Sequence, residues 1–235
     1  TLALMGARCN SPIETIDVPS PRPEKILFVH ITEENTAAKQ VQAGDLDAYF
    51  WRIPPELADT LGSDKNARVI KSPGGSQSIL LNPAPTKNFN PFTLKDARYA
   101  VNFLIDREFI VNDVLKGYGM PMESAYGPFV PDYLTVLDTV NDFNIKYNPA
   151  LAQEMITGAL TKAGAQKTEG KWNYGGKPVT IKFFIRSDDP KRKVTGELLA
   201  QELEKIGFAV ERINGDLNKA FNVIYGADPK EGGWN

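Results

Sequence analysis

Apolar and polar positions along the chain fall into two rhythms, one of period two and one near 3.6. Ile26 to Ile31 is an unbroken apolar run and predicts a buried strand. A helix is expected over 33–43, with Thr32 placed to cap it and Gly44 to stop it. Leu46, Ala48 and Phe50 then alternate with Asp47 and Tyr49, the pattern of a strand with one face inward. Pro54-Pro55 opens a short helix carrying Leu57 and Leu61 and ended by Gly62. Arg68–Lys71 and Gln77–Leu81 predict strands on either side of a Pro73-Gly74-Gly75 turn.

Beyond a Pro/Asn-rich connection, Asn82 to Pro91, the rhythm becomes helical. Thr93-x-x-Asp96 has the form of a capping box, and Leu94, Ala97, Val101, Leu104 and Ile105 make one apolar stripe. Asp106 is placed to cap a second helix, with Phe109, Ile110 and Leu115 inward and Gly117 as its stop. Tyr118 to Tyr147, with Pro121, Pro128 and Pro131, predicts a long loop of the kind that is functional or packed over something. Asn148-Pro149 begins a helix that ends at Gly164. Gly175-Gly176 precedes a strand over 179–185, a helix follows over 190–206, and Phe208–Ile213 forms the next strand. Strand, long helix and strand make a crossover unit, so part of the sheet is parallel. The class is α/β, in two pieces that meet near residues 82–92.

At 235 residues the chain has the length of about one and a half domains. It is 42% hydrophobic and 24% charged, an ordinary globular composition that excludes disorder. Lys+Arg 27 against Asp+Glu 29 leaves a net charge of −2, which argues against nucleic acid as a partner. No apolar stretch has the length of a membrane span. One cysteine, Cys9, allows no intramolecular disulfide or thiolate cluster. Ala7-Arg8-Cys9 has part of the form of a lipoprotein cleavage site, but Arg8 stands where a small residue belongs. The start at Thr1 and the stop at Trp234-Asn235 read as the ends of a piece of something larger.

Candidate chemistry is sparse. His30 is the single histidine, and inside an apolar run its ordinary role is that of a core or edge residue satisfied by backbone. With one histidine and one cysteine, a metal site of the usual N/S ligands is not expected, and no cofactor motif is present. No catalytic residue is assigned. Asp189 is expected to cap the helix opened by Pro190. Lys191-Arg192-Lys193 reads as a solvated face, with a phosphate or carboxylate contact as its alternative. Arg186 ends an apolar strand at the C-terminal edge, where crossover sheets place their ligand sites. Its guanidinium there either takes a ligand carboxylate through two parallel hydrogen bonds or pairs with Asp188 or another acid. Tyr118, Tyr126, Trp172 and Tyr174 lie in turn-rich segments and either line a cleft or close loops over the core.

Several phrases together resemble one family. Asn90-Pro91-Phe92-Thr93 through Asp96, Arg98 and Ala100 to Ile105-Asp106-Arg107-Glu108 is similar to the most specific stretch of the extracellular solute-binding proteins, family 5, of peptide-type ABC importers. Leu115 to Pro121, Tyr147 to Ala152, Gln42 to Asp47 and Leu198 to Val210 resemble further family phrases in the family's own order. The resemblance implies a periplasmic-binding-protein-like type II (cluster C) fold: two hinged lobes with mixed sheets, of which this chain would be part. Residues 1–85 would be a returning segment of lobe I and the hinge, and 86–235 the first half of lobe II.

It also implies a non-enzymatic receptor for oligopeptides or oligosaccharides, extracellular or periplasmic, membrane-anchored at full length, delivering ligand to ABC permease subunits. Arg186 falls where dipeptide receptors of the family carry a carboxylate-binding arginine, and Tyr118 and Trp172 are the accompanying ligand-contact candidates. Gly233-Trp234 resembles the family's Gly-Trp, but Asn235 ends the chain before the acid that follows it there. A ligand-sensing domain of a regulator is the main rival reading, and a hydrolase the more distant one.

Overall fold

The computed structural model describes residues 23–51, 53–71, 75–127 and 130–235, and every structural statement here concerns those. Cys9, the Pro-rich arm before Pro23 and the Pro73-Gly74 turn lie outside them. The chain divides into two compact units, Thr1–Arg52 and Ile53–Asn235.

In the first unit, α1 (Glu34–Ala43) buries Ala37 and Ala38. Gly44 ends it in the left-handed region at φ 80°, as the sequence led us to expect. Thr32 does not cap it: the N-cap position is Glu33, without a side-chain hydrogen bond. The apolar run 26–31 and the alternating segment 46–50 belong to no ladder, and the chain bends at Asp47. A strand needs a neighbouring edge to satisfy its backbone, and no described segment supplies one. Phe28 is accordingly 84% exposed and Phe50 88% exposed. His30 is exposed too, so of the core and edge positions expected for it the core is not the one it takes.

The second unit begins with α2 (Pro55–Gly62), which buries Pro55, Ala58 and Leu61. Segments 68–71 and 77–81 again lack ladder partners. The stripe expected from Leu94 is cut into α3 (Lys95–Val101) and a 3-10 turn, Asn102–Leu104. Its capping box is not made: the N-cap position of α3 is Leu94, Thr93 Oγ1 donates to Asn90 O at 2.9 Å, and Asn90 caps the preceding 3-10 turn, its side chain accepting from Phe92 N. Asp106 does cap α4 (Arg107–Phe109), accepting from Phe109 N at 2.9 Å, and the helix widens into a π-turn over Ile110–Val114. The expected loop contains α5 (Tyr133–Phe143). Next come α6 (Pro149–Lys162), with Asn148 accepting from Leu151 N, and the antiparallel strands β1 (Gln166–Thr168), β2 (Lys171–Tyr174) and β3 (Lys177–Pro178).

The crossover is as expected. β4 (Thr180–Arg186) runs parallel to β5 (Ala209–Gly215), joined by α7 (Pro190–Ile206), with Thr180 opposite Ala209 and Arg186 opposite Gly215. α7 lies close on the sheet because Gly196 has no side chain: a Cβ there would meet Ile185 Cγ2 at 2.8 Å. Gly207 ends α7 at φ 113°, and a Cβ there would stand 2.4 Å from the Gly170 carbonyl oxygen. Phe92, Val101, Leu104, Ile156, Leu160, Trp172, Ile181, Leu203 and Phe208 belong to one core between α3, α6, α7 and the strands.

Asp189 caps α7, as the sequence indicates; Oδ1 accepts from Lys191 N at 3.1 Å and Arg192 N at 3.2 Å. Its side chain is 7% exposed, and Oδ2 also lies 3.4 Å from Arg192 Nε. Asp189→Ala is expected to destabilise the fold by about 1–2 kcal/mol, with Asp189→Ser recovering most of the loss in urea unfolding. Equal losses in the two variants would show that the cap contributes nothing.

After β5, α8 (Leu217–Ile224) is capped by Asp216, and the segment after it returns to the outer edge of β4. Asn235 N donates to Lys182 O at 3.0 Å, and Lys182 N donates to Asn235 Oδ1 at 2.7 Å.

Candidate functional site

The C-terminal edge of the β4–β5 pair is where the crossover leaves backbone groups and helix starts together. Arg186 is the last residue of β4. The chain then turns: Ser187 N donates to Gly215 O at 3.0 Å, tying the turn to the end of β5. That turn brings Asp188 against Arg186, whose Nε donates to Oδ1 at 2.6 Å and whose Nη2 donates to Oδ2 at 2.8 Å. Of the two alternatives left by the sequence, the ion pair with Asp188 is therefore made. The guanidinium holds the Asp188 carboxyl below its ordinary range, helped by the N–H groups of Asp188 and Leu217. In return Asp188 raises Arg186, against its partial burial, and the charges of Asp189 and Asp216 add to this.

Tyr118 follows Gly117, whose N–H closes the π-turn on Val111 O at 2.8 Å. Its hydroxyl donates to Asp59 Oδ1 on α2, and that carboxylate pushes the phenol up from its ordinary value. Lys71 Nζ stands over the same ring, 4.6 Å from its centre. Lys191, in the first turn of α7, joins the two regions: Nζ donates to Glu56 Oε1 on α2 at 3.2 Å and to Val114 O at 3.3 Å. The basic cluster is thus partly engaged with the protein itself.

Trp172 is elsewhere. It is 2% exposed and its ring belongs to the core, while its backbone N–H donates to Gly207 O and its carbonyl accepts from Val179 N. Of the two roles open to the turn-rich aromatics, Trp172 takes the packing one. Tyr174, by contrast, is 41% exposed and stacks on Phe89 at 4.2 Å. No hydrogen bond or ring contact joins Arg186, Tyr118 and Trp172 to one another among the described residues.

A depression of about 450 Å³ lined by Gly164, Gln166, Thr168, Asn173, Gly175 and Gly176 lies beside the small antiparallel sheet and includes none of these three. Among the described residues no group of His, Cys, Asp and Glu is placed to hold a metal ion.

Sequence reasoning missed Asp59 and Lys191 as members of this network, since their partners lie far off in sequence. It also missed Asn82, which is fully buried and donates from Nδ2 to Pro229 O at 2.9 Å and Trp234 O at 3.1 Å. The Pro/Asn-rich composition of its segment signalled only a connection.

The model of the bacterial extracellular solute-binding proteins, family 5 (middle), matches residues 17–229. The chain belongs to that family. AppA of Bacillus subtilis, an oligopeptide-binding protein, is 25% identical over 193 residues, which are 81% of this chain and 33% of AppA. The glutathione-binding protein GsiB of Salmonella typhimurium is 28% identical over 136 residues, 58% of this chain and 25% of GsiB. The chain thus spans a quarter to a third of the length of these curated relatives.

Among solved structures, AppA with a nonapeptide superposes with a TM-score of 0.56 at 22% identity, over 82% of this chain and 36% of that one. A mannohexaose-bound periplasmic oligopeptide-binding protein of Thermotoga maritima gives 0.60 at 20% identity, over 83% and 36%. These likenesses show the fold: part of the family's α/β, type II binding-protein architecture. No helix among the described residues is long and apolar enough to cross a membrane.

Proposed function

We propose that this chain is part of the extracellular substrate-binding component of an ABC importer, taking an oligopeptide or oligosaccharide and passing it unaltered to permease subunits. The family match over residues 17–229 carries this reading. The oligopeptide-binding and mannohexaose-bound relatives support the two ligand classes. In this reading the protein works outside the cytoplasmic membrane, held to it in the full-length form. Residues 1–85 are the returning segment of the first lobe with the hinge, and 86–235 open the second.

Exposed apolar side chains support a partner half: Ile26, Leu27 and Phe28 are 67%, 73% and 84% exposed, and Ile70 is 78% exposed. Such a run is unusual on a finished surface, where large apolar patches mark contacts. Closure of a hinged receptor then encloses the ligand. Arg186 and Tyr118 are the ligand contacts we assign; Trp172, the third candidate, is buried in the core.

In the receptor that contains this chain, Arg186→Gln is expected to weaken a peptide with a free C-terminal carboxylate by roughly tenfold to a hundredfold, the worth of a charge-assisted hydrogen bond. The same peptide as its amide should bind the variant and its parent alike. Calorimetry with both peptides makes the comparison. Unchanged affinity for the free acid would remove Arg186 from the site and favour a neutral oligosaccharide, held by aromatic stacking.

A further inference from the structure

Arg186 does not present an open guanidinium. Asp188 takes both Nε and Nη2 in the two-pronged arrangement that a ligand carboxylate would use. The side chains remain partly accessible, 19% for Arg186 and 34% for Asp188, so an arriving anion reaches the pair. It finds the best face of the guanidinium occupied by a group only two residues away, on a turn fixed by the Ser187–Gly215 hydrogen bond. Asp189 and Asp216, which cap α7 and α8, add further negative charge around it.

We infer that Asp188 is a specificity-determining residue, an internal carboxylate that competes with the anionic end of a ligand for Arg186. The inference rests on the reading of Arg186 as a ligand contact. With Asp188 in place, a ligand carboxylate must share or displace that pair, so its gain from Arg186 is reduced; a neutral ligand meets no such competition. Asp188 therefore weakens the preference of this edge for anionic groups, and its removal makes the same arginine a stronger carboxylate receptor.

The test uses the receptor that contains this chain, its Asp188→Asn and Asp188→Ser variants, and Arg186→Gln combined with Asp188→Asn. Circular dichroism identifies the variants that fold. Two readouts follow: labelling of Arg186 by phenylglyoxal, scored by peptide mass spectrometry, and the Arg186 Nε resonance during titration with tri-alanine or tri-alanine amide. Removing the Asp188 carboxylate should raise labelling severalfold and tighten tri-alanine binding at least tenfold. The amide should be unaffected, and the gain should vanish in the double variant.

Unchanged labelling overturns the proposal while leaving the assignment of Arg186 standing. Raised labelling with unchanged or undetected tri-alanine binding overturns it for the other reason, that Arg186 does not receive the ligand. Failure of both folded substitutions to differ from the parent in either readout also ends it.

Discussion

Phe208→Ala is expected to destabilise the second unit by about 3–5 kcal/mol, the range for truncating a buried aromatic ring. Phe208 is fully buried in the core that α3, α6, α7 and β4 share. It follows directly on Gly207, and its N–H donates to Leu203 O at 3.2 Å, so its backbone is held at the junction of helix and strand. The surroundings are therefore fixed from both sides and have little freedom to collapse into the space left by the ring. Phe208→Leu, which keeps most of the volume, should cost under about 1.5 kcal/mol. Urea unfolding followed by circular dichroism measures both. A loss below about 1 kcal/mol for the alanine variant would contradict the burial described.

Asn82→Ala is expected to cost about 3–4 kcal/mol, because three hydrogen-bonding groups lose their partner at once. Nδ2 serves Pro229 O and Trp234 O, and Oδ1 accepts from Ala84 N at 2.9 Å. The Asn82 carbonyl is in turn held by Asn90 Nδ2 at 2.8 Å, which also donates to Ala84 O at 2.9 Å. Two asparagines thus fasten the connection 82–90 to the segment that borders β4. Asp is the discriminating substitution: Asn82→Asp retains the acceptor for Ala84 N but places a carboxylate against two carbonyl oxygens, and it should be no better than alanine. Hydrogen exchange should show the Asn235 and Lys182 amides opening in both variants. If those amides kept the parent's protection, the clamp would have no hold on the edge.

The parts of the fold legible in the sequence are those specified by neighbouring residues. Asp189 with Pro190, Asn148 with Pro149, and Gly44 each state a helix boundary locally, and the structure places those boundaries there. The β4–α7–β5 crossover was legible because a period-two run and a long helical stripe stood side by side. At α3 the sequence misled: the Thr93 hydroxyl donates to Asn90 O instead of capping the helix, and Leu94 takes the N-cap position.

α5 was hidden by the prolines around it, although Tyr133, Leu137 and Val140 keep helical spacing. The short strands β1 to β3 carry too few apolar residues for periodicity to show; among them only Trp172 is buried. Strand potential at 26–31 was visible, but no ladder follows because pairing depends on a second segment. At the site, position was legible and state was not. Arg186 stands at the sheet edge as expected, whereas its occupation by Asp188 depends on the conformation of a turn.

Parallel neighbours cannot be joined by a tight turn. Thr180 and Ala209 are therefore joined across the whole length of α7, which sits close on the sheet at Gly196. This distant pairing sets a slower folding rate for the second unit than a hairpin would, because the loop-closure entropy is paid before the ladder repays it.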